Sequence, residues 1–116
     1  MERRFRLNKA TDFERVRREG KSYAHPLIVL VVLRNALEHS RFAVAAGRSM
    51  GNAVQRNRAK RQLRAALRPL LPQIEDGWDA VVMARRPMSQ ASFRDIQGAL
   101  KAGLRRACLL EDSHEE

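Results

Sequence analysis

The apolar residues of the chain fall into short blocks, three of which predict β-strands. Residues 27–33 read LIVLVVL, a run that is rich in β-branched side chains and too short for a typical helix. This run predicts a strand with much of both faces covered. After a predicted turn over residues 34–40, residues 41–46 predict a second strand, which enters a loop with glycines at 47 and 51 that indicate unusual backbone angles or a close approach. Residues 78–84 predict a further strand.

Helical spacing of apolar residues first occurs near the N-terminus. Thr11 and Glu14 have the spacing of a capping box, in which a hydroxyl and a carboxylate each satisfy a free backbone N–H group. A short helix is predicted from there to Gly20, with Phe13 and Val16 facing inward.

A longer helix is predicted in the middle of the chain. Asn52 and Gln55 form a second plausible cap, and the helical pattern continues to Pro69 or slightly beyond it. One face of this helix is apolar, so we expect it to pack against the rest of the domain. The positions on that face are Ala59, Leu63, Ala66, Leu67 and Leu70.

A final amphipathic helix is predicted with Ser89 or Ser92 as its cap. Its apolar positions are Phe93, Ile96, Leu100, Leu104 and Ala107. Residues 1–8 form a basic arm, and residues 111–116 form an acidic tail that we expect to fray. The order of elements predicts one domain over residues 1–116 with an α+β fold, an α/β sandwich whose strand–helix–strand unit is parallel.

The composition adds a strong positive charge to this fold. The chain has 116 residues, with 23 Lys and Arg against 13 Asp and Glu, and a formal net charge of +10. Hydrophobic residues make up 44% of the chain, which is too many for a disordered basic tail. The charge therefore belongs to a folded domain, and a polyanion is the expected partner.

The cations are concentrated where acidic residues are missing. No Asp or Glu occurs from residue 39 to residue 74, a stretch that contains Arg41, Arg48, Arg56, Arg58, Lys60, Arg61, Arg64 and Arg68. Several of these form a stripe beside the apolar face of the predicted central helix, widened by Asn57. An ordinary solvated helix would mix both signs of charge to form ion pairs. Because arginine binds phosphate oxygens through two hydrogen bonds and stacks on bases, the stripe indicates a nucleic-acid surface.

A recognition helix in the DNA major groove is the competing interpretation of this stripe. A helix-turn-helix needs a second short helix just upstream, whereas the upstream segment here reads as a strand and a glycine loop. We therefore expect RNA, and not DNA, as the partner. The amide of Asn57 could contact RNA or brace the start of the helix, and the sequence favours neither.

The sequence offers no catalytic or metal-binding constellation. Cys108 is the only cysteine, so no disulfide can form within the chain, and the three histidines are too scattered for a zinc cluster. No nucleophile elbow or Walker loop is present. Asp79 and Asp95 are interpreted as carboxylates at a strand start and in the first turn of a helix, and not as metal ligands.

Secretion and membrane insertion are not expected. The basic N-terminal residues are followed by Asn8, Lys9, Thr11 and Asp12, where a signal peptide would need an apolar region. The longest apolar run is far too short to span a bilayer. Together with the single cysteine, these features predict a soluble protein of the reducing cytoplasm.

A central motif connects these observations with one protein family. Gly51, Ala53 and Val54 precede Arg56-Asn57-Arg58, which is followed by Lys60-Arg61 and Arg64. In this frame the motif resembles the arginine-asparagine-arginine signature of the bacterial ribonuclease P protein component, the small basic subunit of an RNA-based enzyme. Supporting matches over nearly the whole chain are Arg6-Leu7, Asp12-Phe13, Gly20, Arg41, Ala84-Arg85, Pro87 and Ser92-Phe93.

The resemblance implies a four-stranded sheet in the element order αβββαβα, with a left-handed crossover where the general rule predicts a right-handed one. It also implies that catalysis belongs to an RNA subunit with its Mg²⁺ ions, and that the protein binds no cofactor of its own. The protein would assist the endonucleolytic removal of the 5′ leader from precursor tRNA. Its partners would be the ribonuclease P RNA subunit and the precursor tRNA.

Two surfaces follow from the resemblance. The central helix and the adjacent loop would face the RNA subunit through Arg48, Arg56, Asn57, Arg58, Lys60, Arg61, Arg64 and Arg68. The first helix and the sheet would form a cleft for the single-stranded leader, with Phe13, Arg17, Ile28 and Val31 as its residues.

The chain departs from the family pattern in this cleft. Arg17, Ile28 and Val31 stand where relatives often carry aromatic residues, on which bases of a single strand can stack. Arg17 could instead stack on a base or pair with a phosphate. Phe13 is either a leader contact or a core residue under the first helix. Gly47-Arg48-Ser49 replaces a more common serine and two lysines.

Two further functions stay open on the sequence. One is a stand-alone basic RNA-binding or ribosome-associated protein, which the composition permits equally well. The other is a protein-only nuclease, although the chain lacks the clustered carboxylates that two-metal phosphodiester cleavage requires.

Overall fold

The computed structural model describes residues 5–110 and contains a four-stranded sheet with helices on both faces. The helices are α1 (Ala10–Glu19), α2 (Ala53–Leu67) and α3 (Phe93–Arg106), and the strands are β1 (Lys21–Ala24), β2 (Ile28–Arg34), β3 (Arg41–Ala46) and β4 (Trp78–Ala84). Short 3₁₀ segments occupy Arg48–Met50, Arg68–Gln73 and Arg86–Gln90. The predicted α+β fold and the order αβββαβα are confirmed.

The sheet has the strand order β1-β2-β4-β3. Strand β2 pairs antiparallel with β1 and β4, whereas β3 pairs parallel with β4. The predicted parallel strand–helix–strand unit is therefore confirmed, with α2 as its connection, and the hand of the crossover stays a prediction. Strand β1, whose bounds the apolar pattern does not predict, pairs Tyr23 with Leu30 on β2.

Strand β2 is covered on both faces, as its apolar run predicts. Side chains alternate along a strand, so Leu30 faces the large core formed with α2 and α3, whereas Val31 faces a smaller cluster with Val16 of α1. Gly20, at the end of α1, lies so close to β2 that a Cβ there would be 2.7 Å from the carbonyl oxygen of Val32. The sheet is thus the middle layer, between α1 and the pair α2 and α3.

Helix α2 begins as predicted. The backbone N–H of Gln55 donates to Asn52 Oδ1 at 3.0 Å, and the N–H of Asn52 donates to Gln55 Oε1 at 2.9 Å, which completes a capping box. Gly51 precedes it with a φ of +113°, and a Cβ there would lie 1.8 Å from Gln55 Oε1. Only glycine fits this backbone and this contact. Gly47, in contrast, has an extended backbone with φ of −83°.

The predicted capping box of the first helix is wrong. Helix α1 begins at Ala10, with Lys9 as an N-cap that makes no side-chain hydrogen bond. Thr11 therefore lies inside the first turn, where its hydroxyl cannot cap. The inward position of Val16 is confirmed, because its side chain is fully buried.

Helix α3 is capped by Ser92, whose Oγ accepts from the backbone N–H of Asp95 at 3.0 Å. Asp95 occupies the first turn, as predicted. Of the predicted apolar positions, Phe93 is the exception: its side chain is 45% exposed, because the first residue of the helix lies at the margin of the core. The others are buried, namely Ile96, Leu100, Leu104 and Ala107.

The two predicted terminal segments lie partly outside the described residues. Residues 1–4 of the basic arm and residues 111–116 of the acidic tail are not described. The rest of the arm is ordered against β3, where the backbone N–H of Leu7 donates to the carbonyl oxygen of Phe42 at 2.8 Å. Between residues 5 and 110, no helix is both long and apolar enough to cross a bilayer.

Candidate nucleic-acid interface

The cationic face predicted for α2 lies on the surface of the protein. We call its residues the basic stripe: Arg56, Asn57, Arg58, Lys60, Arg61, Arg64 and Arg68. The side chains at 57, 58, 61 and 68 are exposed, and those at 56, 60 and 64 are partly exposed. All five predicted apolar positions of the helix are buried, at 59, 63, 66, 67 and 70. The division of this segment into a packing face and a cationic face is therefore present in the structure.

The charge of the basic stripe is not neutralised by neighbouring acids. The ion pairs described within residues 5–110 use four acidic residues, three on α1 and Asp79 on β4. None of these pairs includes a residue of the stripe. Helix α1 differs, because Arg17 pairs with Glu14 at 3.2 Å and Arg18 pairs with Glu19 at 3.3 Å. The cations of α2 are thus available to an anionic partner.

The loop before α2 extends this surface. Arg48 is exposed at the start of the 3₁₀ segment Arg48–Met50, while Met50 is only 6% exposed and anchors the loop in the core. The loop follows the carboxyl end of β3 and leads directly into the cap of α2. Arg48 therefore lies near the start of the basic stripe, as the sequence predicts.

Further along the stripe, Arg64 lies near the outer edge of β3. Together with Arg6 it lines a depression of about 360 Å³, whose remaining walls are Leu7, Asn8, Phe42, Ala43 and Val44. Strand β3 is the edge strand of the sheet on this side. The positive surface therefore continues from α2 to the sheet edge.

A separate group of charged and polar side chains connects α1 to the sheet around the buried Asp79. We call it the charge cluster: Asp12, Arg15, Asn35, Arg41 and Asp79. Asp79 has no exposed surface. Arg41 binds its two oxygens with Nε at 2.9 Å from Oδ1 and Nη2 at 2.7 Å from Oδ2. Arg15 Nη2 adds a contact to Oδ2 at 2.9 Å, and Asn35 Nδ2 donates to Oδ1 at 2.8 Å.

The charge cluster holds Asp79 in its ionised form. Burial alone would raise the pKa of Asp79, but the hydrogen bonds from Arg41, Asn35 and Arg15 outweigh it and lower the pKa. The same hydrogen bonds raise the pKa values of Arg15 and Arg41, against the opposing effect of burial. Because Arg15 lies on α1, Arg41 on β3 and Asp79 on β4, the cluster fixes α1 against the sheet.

The second predicted surface lies beside α1. Phe13 is partly buried and contacts the cluster of Val16 and Val31. The guanidinium carbon of Arg17 lies 6.0 Å from the centroid of the Phe13 ring, while its Nη1 contacts Glu14. The structure thus brings Phe13 and Arg17 together on one side of α1. Phe13 combines a packing contact with a partly exposed ring.

The other two predicted residues of this surface are buried. Ile28 is 1% exposed and faces the core on the opposite side of the sheet, because residues of even number on β2 point towards α2 and α3. Val31 faces the correct side but is 2% exposed beneath α1. Both side chains are buried in this structure, and their contact with a leader stays a prediction.

The partly exposed sheet face beside α1 consists of other residues. Val29 of β2 is paired in register with Met83 of β4, which is in turn paired with Ala45 of β3, so the three side chains share one row. All three are partly exposed. None of the three was predicted from the sequence, although side chains that alternate along β2 place residues 28 and 31 on opposite faces.

The comparisons with known proteins agree on one family. A family model described as Ribonuclease P matches residues 1–108. The ribonuclease P protein component of Herpetosiphon aurantiacus is 38% identical over 115 residues, which cover 99% of this chain and 94% of the relative. That of Chloroflexus aurantiacus is 40% identical over 111 residues, with 95% and 82% covered.

Solved structures show the same similarity. The ribonuclease P protein of Staphylococcus aureus matches with a TM-score of 0.83 and 30% identity, over 92% of this chain and 98% of that one. The ribonuclease P protein from Thermotoga maritima matches with a TM-score of 0.79 and 30% identity, over 87% and 96% of the two chains. The similarity therefore extends over sequence and fold together.

Proposed function

The chain belongs to the ribonuclease P protein family, and we propose that it binds the RNA subunit of that ribonucleoprotein through the basic stripe and Arg48. As a protein component of ribonuclease P, it is a subunit of an RNA-containing endoribonuclease that processes precursor tRNA. Its own role is to assist the RNA subunit in removing the 5′ leader. The RNA subunit and the precursor tRNA are the proposed partners.

The unpaired charge of the basic stripe is the observation that supports this proposal most strongly. A helix whose cations form no ion pair with residues 5–110 bears repulsion that a polyanion relieves. Phosphates bound by such a surface release counterions, so affinity falls steeply with salt. The predicted alternative, a stand-alone RNA-binding or ribosome-associated protein, has no observation that favours it over the family.

We propose the face beside α1 as the binding site of the single-stranded leader. Phe13 offers a partly exposed ring for a base, and Arg17 offers a guanidinium above that ring for a base or a phosphate. Val29, Met83 and Ala45 supply an apolar floor in place of the buried Ile28 and Val31. The leader would thus contact one aromatic residue and an aliphatic sheet.

The described part of this chain does not offer the ligand set of a Mg²⁺ site. Between residues 5 and 110, no group of three or more His, Cys, Asp or Glu side chains is arranged to hold a metal ion. Asp79, the one fully buried carboxylate of that part, is already bound by two arginines and an asparagine. We therefore propose that the RNA holds the ions and that the protein contributes charge and position.

A reconstituted assay tests the proposal. The protein is mixed with a bacterial ribonuclease P RNA and a precursor tRNA at low Mg²⁺ concentration, and release of the 5′ leader is followed. We expect the protein to stimulate cleavage, because its cations screen the repulsion between the two RNAs. No stimulation at any protein concentration would contradict the proposal.

The same assay without the RNA subunit separates a protein-only nuclease from a subunit. This control matters because a related protein has been connected with RNA degradation: a mutant of the Staphylococcus aureus ribonuclease P protein, which matches this chain with 30% identity and a TM-score of 0.86, has defective mRNA degradation activity. We expect no leader release from the protein alone. Release that persists after repeated purification would revive the nuclease interpretation.

A further inference from the structure

A polar cavity lies between α2 and the 3₁₀ segment Arg86–Gln90, and the function proposed above does not use it. Its volume is about 230 Å³, and its walls are Met50, Gln55, Arg58, Ala59, Gln62, Ser89 and Gln90. The four residues from α2 follow one another at helical spacing, so one side of the helix forms a wall. The cavity is smaller than the ~300–1,000 Å³ typical of sites for drug-sized ligands. A single planar ring system is a ligand of suitable size.

The hydrogen-bonding groups around this cavity include donors and acceptors. Within the described part of the chain, the amides of Gln62 and Gln90 have no hydrogen-bond partner. Gln55 uses its Oε1 for the cap of α2, which leaves its amide N–H groups. The Oγ of Ser89 donates to the carbonyl oxygen of Arg86 at 3.0 Å and keeps its lone pairs.

This mixture of groups favours a nucleobase over a phosphate. A phosphate offers only acceptors, whereas the edge of a base carries donors and acceptors side by side, which match a carboxamide. Two unpaired carboxamides beside one guanidinium are therefore better suited to a base edge. Met50 and Ala59, whose side chains are 6% and 3% exposed, form an apolar floor. A thioether and a methyl group are suitable contacts for the face of a ring.

We propose that this cavity receives one unstacked base of the RNA subunit. The inference rests on the proposed function, because Arg58 belongs to both the basic stripe and the cavity wall. A strand whose phosphates follow the stripe therefore passes the mouth of the cavity. Sequence-specific recognition of RNA commonly uses bases that are turned out of the helix and hydrogen-bonded along their edges. The cavity would give the stripe a base contact that charge alone does not supply.

Salt dependence separates a base contact from a phosphate contact. We expect Gln62→Ala/Gln90→Ala to weaken binding of the RNA subunit about tenfold, as for the loss of two ordinary hydrogen-bonding groups. The slope of log affinity against log salt should stay that of the unmodified protein, because no charge is removed. Arg61→Ala, which lies on the stripe outside the cavity, should instead make that slope shallower by about one.

Gln73→Ala is the matched control, because Gln73 is an exposed glutamine outside the cavity. It should leave the affinity unchanged. Unchanged binding by the double variant, or an equal loss with Gln73→Ala, would overturn the inference. Failure of the proposed function is a different result, in which the unmodified protein itself does not bind the RNA subunit. Binding is measured without precursor tRNA, so a loss reports on the RNA subunit alone.

A second measurement needs no variant. The full chain is titrated with the four nucleoside 5′-monophosphates and with ribose 5-phosphate, while NMR follows the side-chain amide signals of Gln55, Gln62 and Gln90. We expect at least one nucleotide to shift these signals at millimolar concentration and ribose 5-phosphate to leave them in place. Equal shifts with ribose 5-phosphate would show a phosphate site and contradict the inference.

Discussion

The charge cluster and the basic stripe use arginine in opposite settings. In the charge cluster, Arg15 and Arg41 share the carboxylate of a fully buried Asp79, and each guanidinium contact is 2.9 Å or shorter. In the basic stripe, the cations lie on a helix and form no ion pair with any residue from 5 to 110.

The difference teaches how to interpret a net charge of +10. An arginine that is paired inside the fold cannot be removed without leaving a buried charge uncompensated, and it has little charge left for a partner. Arginines without ion-pair partners keep their charge available and can bind phosphate. Only their neighbours distinguish the two roles, since the residue type is the same.

The largest effect is expected from breaking the charge cluster. Arg41→Met removes the two hydrogen bonds that neutralise a carboxylate with no exposed surface. We expect the free energy of unfolding to fall by about 3–5 kcal/mol, as for other buried ion pairs that lose one partner. Urea denaturation followed by the fluorescence of Trp78 measures it.

The control for that variant is Arg18→Met on α1. Arg18 and Glu19 are both exposed at their contact of 3.3 Å, so the loss should stay below ~1 kcal/mol. Similar losses in the two variants would show that the charge cluster does not stabilise the fold more than a surface pair does.

A somewhat smaller effect is expected from the basic stripe, in binding and not in stability. Replacing Arg56, Arg58 and Arg61 with glutamine should weaken binding of the RNA subunit on the order of 100-fold at physiological salt. The free energy of unfolding should change by less than ~0.5 kcal/mol, because these side chains have no partner in the described fold. A loss of stability with no loss of binding would reverse the two roles.

Substitutions on the face beside α1, the proposed leader site, should weaken RNA binding less than substitutions in the basic stripe. We expect Phe13→Ala/Arg17→Ala to weaken binding of precursor tRNA to the holoenzyme about tenfold, as for the loss of one stacked base. Mature tRNA has no leader, so its binding should not change. Equal losses for precursor and mature tRNA, with a matching loss of stability, would make Phe13 a core residue only.

The smallest effect is expected from pH. The pKa of Asp79 in the folded protein is lowered from its ordinary value of 3.8, so its stabilising contribution is present above that value and is lost as pH falls through the lower folded pKa. Only the first part of this loss lies in the range where the protein can be studied. Asp79→Asn should therefore lose less stability than the unmodified protein between about pH 5 and pH 3, as measured by urea denaturation. An identical decline would show that these partners do not lower the pKa of Asp79.

Much of the fold could be predicted from local patterns. Strands β3 and β4 have the predicted bounds, and the Asn52–Gln55 cap is present, because short-range chemistry determines these features. The apolar pattern does not locate strand β1, since four residues with one partly buried side chain give little signal. The predicted start of α1 is wrong: the chain contains the Thr11 and Glu14 capping motif, but the helix begins one residue earlier, at Ala10.

Functional residues could be grouped from the sequence only where they lie along one helix, as in the basic stripe. The basic stripe follows from the period of α2. The partners of Asp79 are far away in the sequence: Arg15, Asn35 and Arg41 are 64, 44 and 38 residues from it. From the sequence, Asp79 is only a residue at a strand start, because nothing local shows such pairing. The cavity beside α2 also needs two segments that the fold brings together. Ile28 was chosen from its position in an apolar run, but side chains alternate along β2 and the side chain of Ile28 is buried in the core with α2 and α3.

The salt dependence of RNA-subunit binding tests the central claim most directly. Two triple variants with the same change in net charge are compared: Arg56, Arg58 and Arg61 to glutamine on the stripe, and Arg18, Arg94 and Lys101 to glutamine elsewhere. We predict that the slope of log affinity against log salt becomes shallower by about two to three for the stripe variant and by less than about one for the control. Equal slopes in the two variants would show that the RNA responds to net charge alone, and would contradict the assignment of the stripe as its binding surface.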